Sequence, residues 1–240
     1  MIDHYDWEGG REAMLRFGPA TGPVIVAALP LFEEANRTRT FLVTILRALA
    51  ERGIASALPD IPGQGESLVP TESLSFLRMQ EGFEYAAAKI LDEGRKVFAA
   101  GIRSGCLLDA YALASGRWHF APCDGSDLVR ELKRIKEAST GQKQGEYWYF
   151  SEGAPVDVEP PVEVAGNLIL PDLITDIALK TPFDEPGIPR RVVRHETDAR
   201  AADLKVPGAP LWRRAEPDND PVLAELLAED IAAWVRACEG

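Results

Sequence analysis

Residues 101–105 read Gly-Ile-Arg-Ser-Gly, a guanidinium and a hydroxyl held between two glycines at the end of an apolar run. A serine hydroxyl in a sharp turn can attack an acyl carbon when an imidazole takes its proton and a carboxylate holds the imidazole. The chain supplies a candidate for each role: Ser104 as nucleophile, His195 as base and Asp198 as acid, with Glu196 beside it. Arg103 stands midway between the glycines and cannot attack, because a guanidinium stays protonated and offers no lone pair. It can instead grip both oxygens of a carboxylate or phosphate. These residues therefore fit two chemistries, acyl transfer from Ser104 or anion binding at Arg103. In a third arrangement Arg103 is plugged by a carboxylate of the protein itself. Glu33, Glu34 and Asp198 are the candidates, and an internal pair is the expectation.

The other chemistry-bearing residues read as structural. His4 falls in an N-terminal hairpin and His119 within a strand, and His195 can also be a strand-end histidine beside Glu196 and Asp198. Asp218 and Asp220 precede the closing helix and read as its caps. Cys106, Cys123 and Cys238 are too few and too scattered for a disulfide frame or a zinc site. The run Gly63-Gln64-Gly65 lacks the lysine of a phosphate-binding loop and reads as a turn that needs glycine's backbone freedom. No cofactor or metal is expected.

At 240 residues the chain suits one α/β domain, 1–240, with a sizeable core. A formal charge of −12 argues against nucleic acid, whose phosphates would be repelled. The first residues show no basic run followed by an apolar core, so no signal peptide is read. No apolar stretch approaches the ~20 residues needed to span a bilayer. The expectation is a cytoplasmic protein with reduced thiols and no membrane insertion. Its expected partners are a small-molecule anion, another protein or a second copy.

The elements that must position these residues alternate between strand and helix. Residues 4–7 and 11–18 form a hairpin around glycines. Residues 22–29 are a near-continuous apolar run, a strand buried on both faces. A polar loop over 30–39 follows, then a helix with Phe41, Leu42, Ile45, Leu46 and Leu49 at helical spacing, closed by Gly53. A strand at 54–60, a helix over 71–93 and a strand at 96–101 come next, and the turn at 101–105 should start another helix. A strand at 117–122 precedes a helix over 124–138. Residues 139–180 make a lid-like excursion with an aromatic knot, Tyr147 to Phe150, which lines a pocket or covers the sheet edge, and a short helix at 170–180. Strands at 189–198 and 209–216 and a helix from Asp220 complete the chain. Such alternation implies a mostly parallel sheet with helices on both faces.

In this order the motifs resemble the α/β-hydrolase fold from end to end. Residues 60–67, Asp-Ile-Pro-Gly-Gln-Gly-Glu-Ser, are similar to that fold's D-x-x-G-x-G-x-S loop. Residues 30–39, Pro-Leu-Phe-Glu-Glu-Ala-Asn-Arg-Thr-Arg, resemble the P-P-F-x-E-E-M-N-K-x-R loop of the exosortase-associated hydrolases, encoded beside protein-sorting and exopolysaccharide systems. Residues 211–221, a final strand with Leu-Trp-Arg-Arg followed by Glu-Pro-Asp-Asn-Asp-Pro, resemble the same branch. The resemblance makes Gly101–Gly105 the nucleophile elbow and puts Arg103, not Ser104, at the attacking position. It places Leu31, Phe32, Glu33, Glu34 and Asn36 at the pocket, and the catalytic histidine in 216–221, where there is none. The fold it implies is a hydrolase; the expected role is noncatalytic, binding or partnering, without the Ser–His–Asp machinery. The alternative is an active serine hydrolase or acyltransferase with a rearranged site.

Overall fold

The computed structural model describes residues 1–150 and 159–240. The N-terminal hairpin pairs β1 (Ile2–Trp7) with β2 (Gly10–Phe17) antiparallel. The apolar runs form β3 (Val24–Ala28), β4 (Ala55–Pro59) and β5 (Val97–Ile102), every residue of them buried. Strands β6 (Arg117–Phe120), β9 (Arg190–His195) and β10 (Leu204–Val206) extend the sheet, while β7 (Val162–Val164) and β8 (Asn167–Ile169) make a separate small hairpin. The order across the large sheet is β1-β2-β4-β3-β5-β6-β9-β10. Only the pairs made by β2 are antiparallel; the rest run parallel.

Among the described residues five helices cover this sheet. α1 (Glu33–Glu51) and α5 (Pro221–Glu239) pack on one face around Phe98, Trp118 and Phe120. α2 (Phe76–Asp92), α3 (Gly125–Thr140) and α4 (Pro171–Ala178) cover the other. Each stripe of side chains at helical spacing finds a sheet face, which is the main driving force for the layering. Asp220 caps α5 by accepting the Leu223 N–H at 3.0 Å; such a cap is worth about 1 kcal/mol. Asp218 does not join it and pairs with Arg214.

The structure corrects the sequence reading at several elements. Residues 33–39 are not loop but the first two turns of α1, where Glu33 and Glu34 offset the positive end of the helix dipole. Helix α2 begins at Phe76, with Ser75 accepting the Arg78 N–H, and only a single 3₁₀ turn occupies Thr71–Ser73. The last strand is β10, and the predicted strand at 209–216 is a 3₁₀ turn, Leu211–Arg213, since Pro207 and Pro210 remove ladder donors. The aromatic knot covers more than it lines: Trp148 is buried in the core against Tyr149. Residues 151–158 of the excursion lie outside the described residues.

The largest departure follows β5. The helix expected after the turn is replaced by a 3₁₀ turn, Arg103–Leu107, and irregular chain to β6. Buried side chains take the carbonyls a helix would have used internally. Arg117 Nη2 donates to the carbonyls of Asp109 at 3.0 Å and Ala112 at 2.9 Å, and Gln80 donates to that of Leu107 at 2.8 Å. Asp109 bonds His119 Nε2 at 2.8 Å and faces Arg117 Nε at 3.6 Å. Arg190 donates to His119 Nδ1 at 3.4 Å, so the imidazole proton sits on Nε2 and points at Asp109. The connection is held by this network and not by a helical ladder.

Candidate functional site

The turn after β5 keeps the shape of an elbow. A side chain at Gly101 would come within 2.8 Å of the Cys106 backbone, and one at Gly105 within 2.5 Å of the Leu29 carbonyl. Gly101 lets the turn fold back on Cys106, and Gly105 lets it press against the end of β3. Arg103 at the apex has φ 55°, a left-handed conformation that costs a non-glycine residue of order 1–3 kcal/mol. That strained backbone is the one that lifts a side chain above the sheet, and the chain it lifts is a guanidinium.

Arg103 is held on two sides. Its Nε and Nη2 donate to the two carboxylate oxygens of Glu34, at 3.3 and 3.2 Å, and the guanidinium lies 5.0 Å from the Trp212 ring centroid. Burial works against the charge on Arg103, but the Cys123 sulfur and the Glu34 carboxylate outweigh it and raise its proton affinity. Glu34 shows the reverse balance: its burial outweighs the pull of Arg103 and holds the carboxyl above the ordinary range. Of the three carboxylates expected to plug Arg103, only Glu34 does so. Glu33 pairs along α1 with Arg37 at 3.1 Å, and Asp198 pairs with Arg194 and Arg200.

Ser104 is fully buried and does not cap a helix. Its Oγ accepts the Leu31 N–H at 2.9 Å, and the next amide, Phe32 N–H, donates to Gln64 Oε1 at 2.8 Å. Amides of this β3–α1 loop are where an oxyanion donor is drawn from in an elbow site, and here both are engaged by side chains of the protein. The glycine-rich turn, with positive φ at Gly63 and Gly65, is what swings Gln64 into reach. Leu31 and Phe32 are buried at this junction, and Leu31, Gln64 and the exposed Asn36 line a small cavity of about 30 Å³ beside Arg39 and Asp60.

His195 is no surface residue. It is 3% exposed, lies edge-on to Phe120 and against Trp212, and neither ring nitrogen makes a well-formed hydrogen bond. Burial lowers its proton affinity, and the Pro207 carbonyl, Asp198 and Asp220 only partly offset this. Among the described residues no side-chain hydrogen bond links Ser104, His195 and Asp198; the Asp198 backbone N–H donates to the His195 carbonyl at 3.0 Å. The Asp198 carboxylate is turned to Arg194 Nη1 at 3.0 Å and Arg200 Nη2 at 2.9 Å.

Arg103, His195, Thr197, Asp198, Arg200 and Arg213 line a cleft of about 220 Å³ at the carboxyl end of the parallel strands. A second lobe of about 380 Å³ shares Arg103, Arg200 and Arg213 and adds Arg130 and Arg134 with Asp127 and Glu131. Open α/β sheets bind ligands at this end. Sequence reasoning missed Arg130, Arg134, Arg200 and Arg213, which come from separate segments. Among the described residues no cluster of three or more His, Cys, Asp or Glu could hold a metal ion, and no helix is long and apolar enough to cross a membrane.

The hydrogen bonds on Asp198 carry a pH signature. Burial raises its carboxyl, but bonds from Arg200 and Arg194 overcome this and hold it well below the usual carboxylate range. A depressed folded value means the stabilisation is present above the unfolded pKa of ~3.9 and is lost as pH falls through the folded value. The stability difference between the wild type and Asp198→Asn, read from urea midpoints, should therefore be constant from pH 7 to 5 and begin to shrink below about pH 4. A difference that grows on acidification would contradict it.

Sheet order, elbow and cleft together define the α/β-hydrolase fold. Est1E from Butyrivibrio proteoclasticus superposes with a TM-score of 0.60 at 16% identity, over 99% of this chain and 98% of that one. An epoxide hydrolase from Vigna radiata gives 0.59 at 12% identity over 99% and 98%, and a thermophilic esterase from Thermogutta terrifontis gives 0.57 at 13% over the full length of both. No protein-family model and no curated protein matches the sequence. Likeness at this identity establishes the fold alone, and a fold of this kind hosts many chemistries.

Proposed function

We propose that this α/β-hydrolase-fold protein performs no Ser–His–Asp acyl transfer and uses the cleft beside its elbow to bind a small anion. One observation carries the reading: the apex of the elbow is an arginine locked to Glu34, while the neighbouring hydroxyl accepts the Leu31 amide. Among the described residues no base is hydrogen-bonded to that hydroxyl. An enzyme stripped of its triad retains only ~10³–10⁴-fold acceleration over water. The basic cleft that continues from Arg103 supports binding as the role.

Within the fold we assign the protein to the exosortase-associated branch, as a binding or partner component linked to protein sorting or exopolysaccharide. The support is the loop at 30–39, whose Glu34 reaches the elbow, and the segment 211–221, which resembles the same branch. An encoding locus with no protein-sorting or exopolysaccharide genes beside it would remove that assignment.

The absence of acyl transfer is tested with a fluorophosphonate probe and a panel of short acyl esters. The expected result is no covalent labelling and no hydrolysis above the protein-free rate, with Ser104→Ala indistinguishable from wild type. Labelling that Ser104→Ala abolishes would replace this reading with a serine hydrolase or acyltransferase of rearranged geometry.

A further inference from the structure

We infer that the segment at 60–69 is a proton-controlled gate over the Leu31 and Phe32 amides, latched through Ser67 to the buried carboxyl of Glu12 and released when that carboxyl ionises. The gate stands apart from the anion-binding role proposed above.

Glu12 lies on β2 at 4% exposure, and among the described residues it makes no ion pair. Glutamate is almost never buried so deeply without a cation. Its surroundings are apolar or of like sign. Tyr5, directly opposite on β1, and Trp7 and Met14 belong to the core, and the charge facing it from the segment is Asp60. The cations of the flanking helices are turned elsewhere. Arg39 of α1 pairs with Asp60 at 3.2 Å, Arg78 of α2 with Glu8 and Glu81, and Lys89 of α2 with Asp3.

The hydrogen bond that Glu12 accepts is the one that fastens the segment. Ser67 Oγ–H donates to Glu12 Oε1 at 2.8 Å, and Ser67 Oγ accepts the Gly63 N–H at 3.0 Å and the Val69 N–H at 3.2 Å. One hydroxyl thus uses its donor and both acceptors to tie the turn to β2. The Gly63 carbonyl accepts Gln64 Nε2 at 2.7 Å, and Gln64 Oε1 covers the Phe32 N–H at 2.8 Å. Hydrogen bonds therefore connect Glu12 to the loop beside the elbow. The outer turn buries little: Gly65, Glu66 and Leu68 are exposed, Leu68 at 97%. Gly63 and Gly65, both at positive φ, are its hinges.

Two effects of ionisation compete at Glu12. A carboxylate accepts the Ser67 hydroxyl more strongly than a neutral carboxyl does. Burial, helped by Asp60, outweighs that bond and holds the carboxyl above its ordinary range. Ionisation therefore favours an arrangement in which water reaches Glu12, and lifting Ser67 uncovers it. A raised folded value means that the closed gate is favoured at low pH and weakens as pH rises through that value.

Amide hydrogen exchange of the full chain tests this, with each rate divided by the intrinsic rate at the same pH. Between about pH 4 and about pH 8 the protection of Phe32, Gly63 and Val69 should fall at least about threefold, since one pKa unit changes such an equilibrium about tenfold. The amides of β5 should keep theirs. Glu12→Gln retains an acceptor for Ser67 without the charge. Its three amides should stay protected across the range, and its advantage over the wild type in urea midpoint should grow as pH rises. Ser67→Ala should lose the protection of Gly63 and Val69 at both ends of the range. Wild-type protection that does not change with pH, an equal fall in Glu12→Gln, or undiminished protection in Ser67→Ala would each overturn the inference.

Discussion

Asp109→Ala should destabilise the folded protein by about 3–5 kcal/mol, the range for breaking a buried ion pair from one side. Asp109 and Arg117 are each 2% exposed, and the carboxylate is the nearest anion to the guanidinium, at 3.6 Å. Arg117 Nε and Nη1 already lack hydrogen-bond partners, and its remaining support is two carbonyls and the face of Phe183 at 3.7 Å. Burial lowers the proton affinity of Arg117, and Asp109 is the main force opposing that. Alanine would leave the guanidinium buried without its counter-charge and would free the His119 imidazole as well. Equilibrium urea unfolding at neutral pH measures the loss. Asp109→Asn, which keeps the shape and an acceptor for His119, should fall between the wild type and alanine. A loss below about 1 kcal/mol for alanine would mean that the network is not what holds residues 103–116 in place of a helix.

Glu34→Ala should cost a similar ~3–5 kcal/mol, because it strands Arg103 in the same way. The two side chains are 6% and 11% exposed, and Glu34 supplies both acceptors for the guanidinium. The pair itself contributes less than that figure, since burial penalises both charges and already holds Glu34 above the ordinary carboxylate range. The double variant Glu34→Leu with Arg103→Met should recover most of the loss, as apolar replacements of buried pairs commonly do. A double-mutant cycle by urea unfolding therefore has a defined sign: strong coupling, with the double variant more stable than Glu34→Ala alone. Additive losses would show that Arg103 is not locked by Glu34. The plug would then give no reason for an arginine to hold the strained apex at φ 55°.

The two sites differ in how far the sequence disclosed them. Arginine at the apex was readable from Gly101 and Gly105, because only a glycine pair permits so tight an approach and their spacing names the residue between. The choice of Glu34 over Glu33 and Asp198 was not readable, since it depends on α1 beginning at Glu33 and not after residue 39. Two turns of added helix turn neighbouring glutamates to different partners. The Asp109–His119–Arg117 network was missed, although a signal was present: Arg117 and His119 are alternate residues of a strand that reads as buried, so they share a face and require a counter-charge. Asp109 could not be singled out as that counter-charge while its segment was read as helix.

The sequence by itself determined the layered α/β architecture, the elbow and the arginine at its apex. Those features rest on local periodicity and on glycine sterics, which neighbours in the chain largely settle. Tertiary structure alone decided which carboxylate meets Arg103, that Ser104 is spent on the Leu31 amide, and that His195 lies buried at the foot of an arginine-lined cleft. Those outcomes depend on side chains from separate elements meeting within about 3 Å, where hydrogen bonds and buried charges change sign of benefit over a single ångström.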